Sequence, residues 1–374
     1  MRVSRRVRRG MSLAFTLVWL ACLYGHAMSA APQRLGQLPA GMSPDSIDFT
    51  ASELYVLEGG TVSVFSLPEM TRVRTFGGSG IGPGKLSPRH SFDQAIRVVG
   101  DTVLVEDNDK LIRFSRAGQL IEEKRKPENS AWFVPIGDRY AAKSMVVEGT
   151  PPAQIIRIAL YDAAQLSEVK ELYRQPWFQQ RQGQGFSTVL LGDQLHFAVA
   201  RDRVCVEESP KGFVVECFDS SGRSVSAIER ARAGVPVTAA DRDREMALVR
   251  TEKRVALMIG MTGSWEKLRQ IWTITFPAVT PPLRELQAGA NRLLARTFER
   301  TGDTVKYVLL DFDGTAEREL WLPTPTDAET EARVSGTAFF KLVGDRYYYL
   351  RHDAGSNRWE VFATSVPDDR SKSR

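Results

Sequence analysis

The sequence has few of the side chains that most often bind metal ions. Its 374 residues include three cysteines and four histidines. Cys205 and Cys217 have no histidine close to them in sequence, and two cysteines are too few ligands for a zinc site. His90, His196 and His352 stand far apart, and the pattern around His196 favours a packed side chain in mid-strand. We therefore assign no metal-binding or catalytic residue and expect no cofactor.

The sequence also lacks an apolar run long enough for a membrane-spanning helix, which needs about 20 residues. Its N-terminal apolar run, Met11 to Tyr24, follows a basic segment that has five arginines among the first ten residues. Small residues at 27–31 then resemble a cleavage site. The pattern predicts a signal peptide over 1–30 and an exported protein, periplasmic or extracellular. Two alternatives are an uncleaved anchor and a lipid anchor on Cys22, because 19–22 resembles a lipoprotein cleavage box.

The mature chain has no excess charge of either sign. The whole chain carries 50 Lys and Arg against 45 Asp and Glu, and removal of the five N-terminal arginines leaves 45 of each. A nucleic-acid or anionic-membrane surface requires a basic patch. We therefore expect no nucleic-acid partner and no membrane span after cleavage.

The segment between the two later cysteines predicts a β-hairpin. Pro210 fits the second position of a type I turn, and Gly212 can adopt the left-handed conformation that closes a three-residue loop. Counting back in pairs from this loop places Cys205 opposite Cys217. Facing cysteines pair in an oxidising compartment, so we predict a disulfide, with two reduced thiols as the alternative.

A repeated pattern indicates the fold. An apolar residue, Gly-Asp and then a strand recur, with clear copies beginning at Val99, Ile136, Leu191 and Val343 and degenerate copies at Ala51 and Gly289. A second hairpin with a turn, often containing glycine, follows at a similar offset, as in 111–121, 214–223 and 308–315. Two hairpins per unit make four strands. Six such units predict an all-β, six-bladed β-propeller.

We expect the propeller to span 31–367, followed by a polar tail at 368–374. The stretch 31–45 is expected to add a strand to the last blade and close the ring. Closure leaves no long free sheet edge, and we therefore expect a monomer.

The gap 193–290 is too long for one blade. Thr238 and Asp241 match a helix-capping pair, and the apolar side chains that follow fall near one helix face. These are Met246, Val249, Ala256 and Ile259. We predict a helical insertion at about 238–260 between blades four and five, with a hidden seventh blade as the alternative.

The segment 75–125 resembles one NHL repeat. It contains the Gly-Pro-Gly linker at 82–84, a strand ending near Asp107 and a strand with Arg113-Phe114. The chain as a whole resembles bacterial exported six-bladed propellers with degenerate NHL-like repeats, although the other blades lack the linker and Glu106 precedes Asp107. The resemblance implies the fold and a binding role, and it carries over no catalytic residue.

Tyr307–Thr315 matches the nucleophile motif of haloacid dehalogenase-type phosphatases, in which Asp311 would attack phosphorus and Asp313 would act as acid and base. However, only 59 residues follow Thr315, too few for the rest of such a domain. The segment also fits the repeat, where Asp-Gly turns join strands. We therefore interpret it as a hairpin turn.

Two further motifs resemble known ligand-binding loops only in part. Gly80–Lys85 has the composition of a phosphate loop, but Ser79 and Leu86 stand where that loop needs glycine and Ser or Thr. Glu106–Asp109 could bind Ca²⁺ through its oxygens, but it lacks the spacing of a known loop. We interpret the first as a linker and the second as a polar hairpin turn.

Aromatic residues are frequent in the predicted strands, where they are expected to pack between blades. Tyr347, Tyr348 and Tyr349 are consecutive and cannot all point the same way, so we expect at least one to face outward, where it could line a ligand surface.

These observations favour a non-catalytic binding or scaffold domain that engages a protein, peptide or saccharide at a propeller face. The alternative is a propeller-type metal-dependent hydrolase or lyase with its site in the central channel. Three or more Asp, Glu, Asn or His side chains converging at one mouth would favour the enzyme. An apolar or mixed channel would favour the binding domain.

Overall fold

Six four-stranded antiparallel sheets follow one another along the chain in the computed structural model. The structure describes residues 31–87, 94–177, 179–182, 185–200, 202–251, 253–289, 292–315, 317–323 and 339–366. The predicted signal peptide 1–30 with Cys22, His90 and the tail 368–374 lie outside the described residues. The all-β, six-bladed β-propeller is confirmed.

The strands of each blade are consecutive in sequence, except in blade six. Blades one to three consist of β2 (Ser46–Phe49), β3 (Glu53–Glu58), β4 (Thr61–Ser66) and β5 (Arg72–Gly77); β6 (Ala95–Val99), β7 (Thr102–Glu106), β8 (Lys110–Ser115) and β9 (Leu120–Arg125); and β10 (Ser130–Ile136), β11 (Arg139–Glu148), β12 (Ala153–Asp162) and β13 (Glu168–Pro176). Blades four and five consist of β16 (Phe197–Ala200), β17 (Arg203–Glu207), β18 (Phe213–Asp219) and β19 (Ser224–Arg230); and β21 (Glu285–Ala288), β22 (Arg292–Thr301), β23 (Thr304–Asp311) and β24 (Glu317–Pro323). Blade six combines β25 (Phe340–Val343), β26 (Arg346–Asp353) and β27 (Arg358–Ser365) with β1 (Gln33–Gln37).

Pairing between the two ends of the described chain closes the ring. β1 pairs antiparallel with β27, with Gln33 opposite Ala363 and Gln37 opposite Glu360. The Leu38 N–H then donates to the Trp359 carbonyl at 2.8 Å. The predicted closing strand is therefore present, and it covers the edge that β27 would otherwise expose.

The first strand of every blade lies nearest the axis, where it contacts the first strands of the neighbouring blades. These strands run in the same direction. Ile96 N–H donates to Ser46 Oγ at 3.0 Å, and Val98 N–H donates to Asp48 Oδ2 at 2.6 Å, so β2 and β6 advance together. Because strands alternate in direction within a blade, the connections between blades all lie on the face where the first strands begin. We call this the entry face.

The hydrophobic core lies between the blades, so both faces of a central strand such as β26 are buried. Tyr348 packs with blade-one residues such as Phe49, whereas Tyr347 and Tyr349 pack with blade-five residues such as Leu294. The three tyrosines are between 0 and 3% exposed. The expectation that one of them faces outward is wrong, because a strand between two neighbouring blades has no solvent face.

The predicted turns are mostly correct. Val99-Gly100-Asp101, Ile136-Gly137-Asp138 and Val343-Gly344-Asp345 join first and second strands. The copy at Leu191 is an exception, because Gly192 and Asp193 precede the first strand of blade four. His196 consequently lies just before β16 and not in mid-strand. Glu106–Asp109 forms the β7–β8 turn, as expected.

The predicted disulfide is present. Cys205 on β17 is opposite Cys217 on β18, and the two sulfur atoms are bonded at 2.03 Å. A single turn of 3-10 helix, Ser209–Lys211, and Gly212 with φ of 99° form the connection. Both cysteines are fully buried in the core between blades four and five.

A helical insertion between blades four and five is confirmed. It contains α1 (Ala239–Thr251), α2 (Lys253–Thr262) and α3 (Trp265–Ile271). Thr238 Oγ1 accepts from Asp241 N–H at 3.2 Å, and Thr238 N–H donates to Asp241 Oδ2 at 3.0 Å, which is the expected capping pair. Ala256 is exposed and does not share the buried face predicted for it.

A small sheet completes this insertion. It consists of β14 (Gln179–Gln182), β15 (Gly185–Val189) and β20 (Trp272–Thr275), and β15 pairs parallel with β20. Two adjacent inter-blade connections thus combine into one unit on the entry face, which we call the cap (α1–α3, β14, β15 and β20). The described residues of 193–290 form blade four, the rest of the cap and the first strand of blade five, so the alternative of a seventh blade is not realised there.

Candidate functional site

The most irregular inner strand is β10 in blade three. Its pairing with β11 shifts between Ala131 and Val134, which marks a β-bulge. Trp132, within the bulge, has φ of 65°, a conformation that costs free energy for a residue with a side chain. Such strain persists only where the surrounding structure fixes it.

Glu106 in blade two fixes this bulge. It lies at the end of β7, is fully buried, and accepts hydrogen bonds from the backbone N–H groups of Trp132 at 2.8 Å and Phe133 at 3.1 Å. Lys126 Nζ, 1% exposed, donates to the same carboxylate at 2.9 Å, and Arg97 lies 3.5 Å from it. The carboxylate therefore has several donors, and its charge is compensated inside the protein.

The bulge places Trp132 against Lys143. Lys143 lies on β11 opposite Ala131, is 9% exposed, and its Nζ lies 3.8 Å from the centroid of the Trp132 ring. This is a close cation–π contact. Among the described residues, Lys143 Nζ makes no hydrogen bond and has no carboxylate within 4 Å.

The electrostatic environment shows that Lys143 points toward the axis. Burial lowers the pKa of Lys143 to about 7. Glu207 from blade four and Glu285 from blade five act in the opposite direction, and Arg97 from blade two adds to the decrease. A blade-three side chain is within reach of groups from three other blades only if it extends into the centre of the ring.

His196 lies beside this lysine at the start of blade four. Its carbonyl accepts from Glu207 N–H at 3.0 Å, and its Nε2 is buried without a hydrogen-bond partner among the described residues. Burial, together with the positive charges of Lys143 and Arg284, holds the pKa of His196 well below its usual value. The imidazole is therefore neutral at physiological pH.

The blade-five contribution is an acid paired with a base. Glu285 begins β21 and is opposite Arg296 on β22, with 3.8 Å between Glu285 Oε2 and Arg296 Nη1. Gln287 Nε2 donates to Glu285 Oε1 at 3.1 Å. Burial raises the pKa of the Glu285 carboxyl, although Arg296 opposes the shift.

These side chains form one cluster at the entry-face end of the channel, which we call the mouth. The mouth consists of Trp132, Lys143, His196, Glu207, Glu285 and Arg296. His196, Glu207 and Glu285 are three side chains of the kind expected for the enzyme, whereas Lys143 and Arg296 give the mouth the mixed charge expected for the binding domain, so its composition alone does not separate the two. Among the described residues, no group of three or more His, Cys, Asp or Glu side chains is arranged to hold a metal ion.

A cleft of about 400 Å³ lies next to the mouth, between α1 of the cap and blade five. Its lining includes Asp241 and Arg244 from α1, and Phe298 and Trp321 from blade five. Arg284 also lines it and connects it to the mouth, since its charge acts on His196. The cap therefore forms one wall of a depression that adjoins the channel opening.

The motifs singled out in the sequence lie elsewhere. Asp311 ends β23, 3.5 Å from Arg292, and Asp313 Oδ1 accepts from the Thr315 N–H and hydroxyl, as in an ordinary turn. Lys85 of the glycine-rich linker donates to the Gly77 carbonyl at 2.9 Å. Neither segment reaches the mouth, and their interpretation as turn and linker agrees with these contacts.

Sequence reasoning did not find the mouth, although one signal was present. Buried charged residues lie within or at the end of the second strands of blades two to five, at Glu106, Lys143, Glu207 and Arg296. Charged side chains are rarely buried unless they have a role or a partner. The positions become comparable only when the blades are aligned by their strand pairing.

Comparisons with solved structures found the following similar proteins. The chain is similar to the WD40 domain of Neurospora crassa Pan2, with 9% identity, a TM-score of 0.42, and coverage of 92% of this chain and 98% of that one. It is also similar to a DUF4221 family member from Bacteroides vulgatus, with 8% identity, a TM-score of 0.46, and coverage of 90% and 97%. A third similar structure is KlHsv2 with a Gly-Ser linker in place of loop 6CD, with 8% identity, a TM-score of 0.37, and coverage of 86% and 98%. No protein-family model and no curated protein matches the sequence.

Within the described residues, no helix is both long and apolar enough to cross a membrane.

Proposed function

We propose that the mature protein is an exported, monomeric, non-catalytic binding domain that holds its ligand on the entry face, over the mouth and the adjoining cleft. The observation that carries this proposal is the pair of Trp132 and Lys143. Glu106 of the preceding blade fixes the strained backbone at Trp132, whose indole is partly exposed. Lys143 lies against this indole and lacks a carboxylate partner within 4 Å among the described residues. Strain of this kind concentrates at binding sites.

One further observation supports the proposal. The disulfide between Cys205 and Cys217 suits an oxidising compartment, as expected for an exported protein. The ligand classes proposed are proteins, peptides and saccharides, because an indole beside mixed charges suits polar ligands that also carry apolar surface.

The test measures binding to arrays of oligosaccharides and peptides for two variants, one altered at the mouth and one altered away from the entry face. Trp132→Ala alters the mouth, whereas Asp313→Asn alters an exposed turn away from the entry face and serves as the control. We expect Trp132→Ala to remove the signal of any bound probe and Asp313→Asn to retain it. Equal signals from both variants would exclude the entry face, and chemical turnover of a bound probe would exclude a non-catalytic role.

Export and oligomeric state need separate measurements. Mass spectrometry of the protein recovered from the exported fraction should show an N-terminus near residue 31, without lipid. Light scattering of the same sample should give the mass of one chain. An N-terminus at Met1 in a cell-associated protein would contradict export.

A further inference from the structure

Two polar atoms at the mouth lack hydrogen-bond partners among the described residues. They are Lys143 Nζ, in a side chain that is 9% exposed, and the buried His196 Nε2. A buried cation without a hydrogen-bond or ionic partner is costly, and so is a buried ring nitrogen without a hydrogen bond. The two residues belong to neighbouring blades, and the charge of Lys143 acts on His196. A ligand that reaches both atoms would supply the missing partners.

The surrounding charges determine how much negative charge on a ligand the mouth can balance. Arg97 lies 3.5 Å from Glu106, and Arg296 lies 3.8 Å from Glu285, so each has an acidic neighbour. Lys143 has none within 4 Å among the described residues, and one negative charge would balance it. A dianion would bring a second negative charge close to Glu207 and Glu285, which already act on Lys143.

We infer that the mouth binds a carboxylate group of the ligand, with Lys143 Nζ as its ionic partner and His196 as a hydrogen-bonding neighbour. This inference rests on the proposed binding function and specifies its ligand class. The carboxylate could belong to an acidic sugar or to a peptide C-terminus, and its chemistry at Lys143 is the same.

Binding of a carboxylate at Lys143 should be accompanied by uptake of a proton. Lys143 of the free protein titrates near pH 7, in a field set by Glu207, Glu285 and Arg97. A bound carboxylate stabilises the ammonium form, so binding must raise the pKa of Lys143. Above pH 7 the free protein must gain a proton to bind. Affinity therefore falls by up to tenfold per pH unit above 7, until the pKa of the complex is reached.

The measurement is an NMR titration of the folded protein labelled with ¹³C at lysine Cε. The Lys143 signal is assigned by its loss in Lys143→Met. The probes are galacturonate with galactose, N-acetylglycine with N-acetylglycinamide, and inorganic phosphate. We expect at least one carboxylate probe to raise the Lys143 midpoint by one pH unit or more, while its neutral counterpart leaves it unchanged. The two pairs distinguish a sugar acid from a peptide terminus.

Two variants separate ligand contact from general effects. Lys143→Met should weaken binding of that carboxylate at least tenfold and remove its pH dependence. Lys341→Met removes another channel lysine, one that already pairs with Asp48, and should leave the affinity within twofold. Circular dichroism establishes that both variants are folded.

A Lys143 midpoint that stays near 7 with every carboxylate probe overturns the inference, as does tighter binding of phosphate than of either carboxylate. The proposed function fails separately. If the array probes still depend on Trp132 while no carboxylate moves Lys143, the binding function stands and the ligand class is wrong.

Discussion

Replacing Glu106 tests how the mouth is held in place. The carboxylate is fully buried, and it accepts from Lys126 and from the backbone N–H groups of Trp132 and Phe133. Glu106→Ala leaves the Lys126 ammonium buried without its partner and two backbone donors without an acceptor. Removal of one partner of a buried ion pair costs roughly 3–5 kcal/mol. We expect the free energy of unfolding to fall by at least about 3 kcal/mol, within that range.

A graded series separates charge from hydrogen bonding. Glu106→Gln retains one side-chain oxygen for the backbone donors but loses the charge. It should cost about 2 kcal/mol, because hydrogen bonds to charged groups contribute roughly 1.5–3 kcal/mol. The double variant Glu106→Gln with Lys126→Met also removes the ammonium. It should recover most of that loss, since replacing both members of a buried pair is often close to neutral.

The assay is urea denaturation followed by far-ultraviolet circular dichroism, with the cation–π contact monitored by tryptophan fluorescence. Glu148→Ala is the matched control, because it breaks an exposed pair with Arg174 and should leave the denaturation midpoint unchanged. The reasoning fails if Glu106→Ala behaves like Glu148→Ala. It fails equally if the double variant is no more stable than Glu106→Gln, because the ion pair would then have no role.

Three other predictions concern the mouth, the crosslink and the ring. Burial lowers the pKa of Lys143 to about 7, so between pH 7 and 10.5 the unfolded chain binds more protons than the folded protein. The free energy of unfolding of the wild type should therefore rise over this window, by up to about 1.4 kcal/mol per pH unit relative to Lys143→Met. Urea denaturation of both proteins across this pH range measures the difference. Parallel curves for the two proteins would contradict this. Reduction of the Cys205–Cys217 disulfide, which closes a short loop, should lower the free energy of unfolding by about 3 kcal/mol, measured with and without reductant. Deletion of 31–38 removes β1 and exposes the edge of β27, so size-exclusion chromatography should show association instead of a single monomer peak.

The repeat pattern was sufficient to predict the fold because each blade is specified by the same local sequence pattern. An apolar residue, a Gly-Asp turn and an alternating strand specify a hairpin without reference to the rest of the chain. The closing strand at Gln33–Gln37 followed from the need to cover a sheet edge. The copy at Leu191 failed because the same residues also suit a tight turn before a strand, and only the pairing of β16 distinguishes the two.

The mouth was not predictable in the same way because it depends on packing between blades. The fate of the three consecutive tyrosines illustrates this. A strand pattern assigns alternate residues to opposite faces, but it does not show that a second blade covers each face. The contact between Lys143 and Trp132 likewise depends on a bulge, and the bulge depends on a carboxylate from the preceding blade.

The strand pairing also explains why one register carries the chemistry. In each blade, one second-strand residue lies opposite, or one position from, the first residue of the inner strand, at the entry face. Blades two to five place Glu106, Lys143, Glu207 and Arg296 in this register, so the sign of the charge alternates around the ring. Blades six and one place apolar side chains there, at Leu350 and Leu57. Leu57 and Leu350 are fully buried in the cores between blades, so the charged residues of this register are confined to blades two to five.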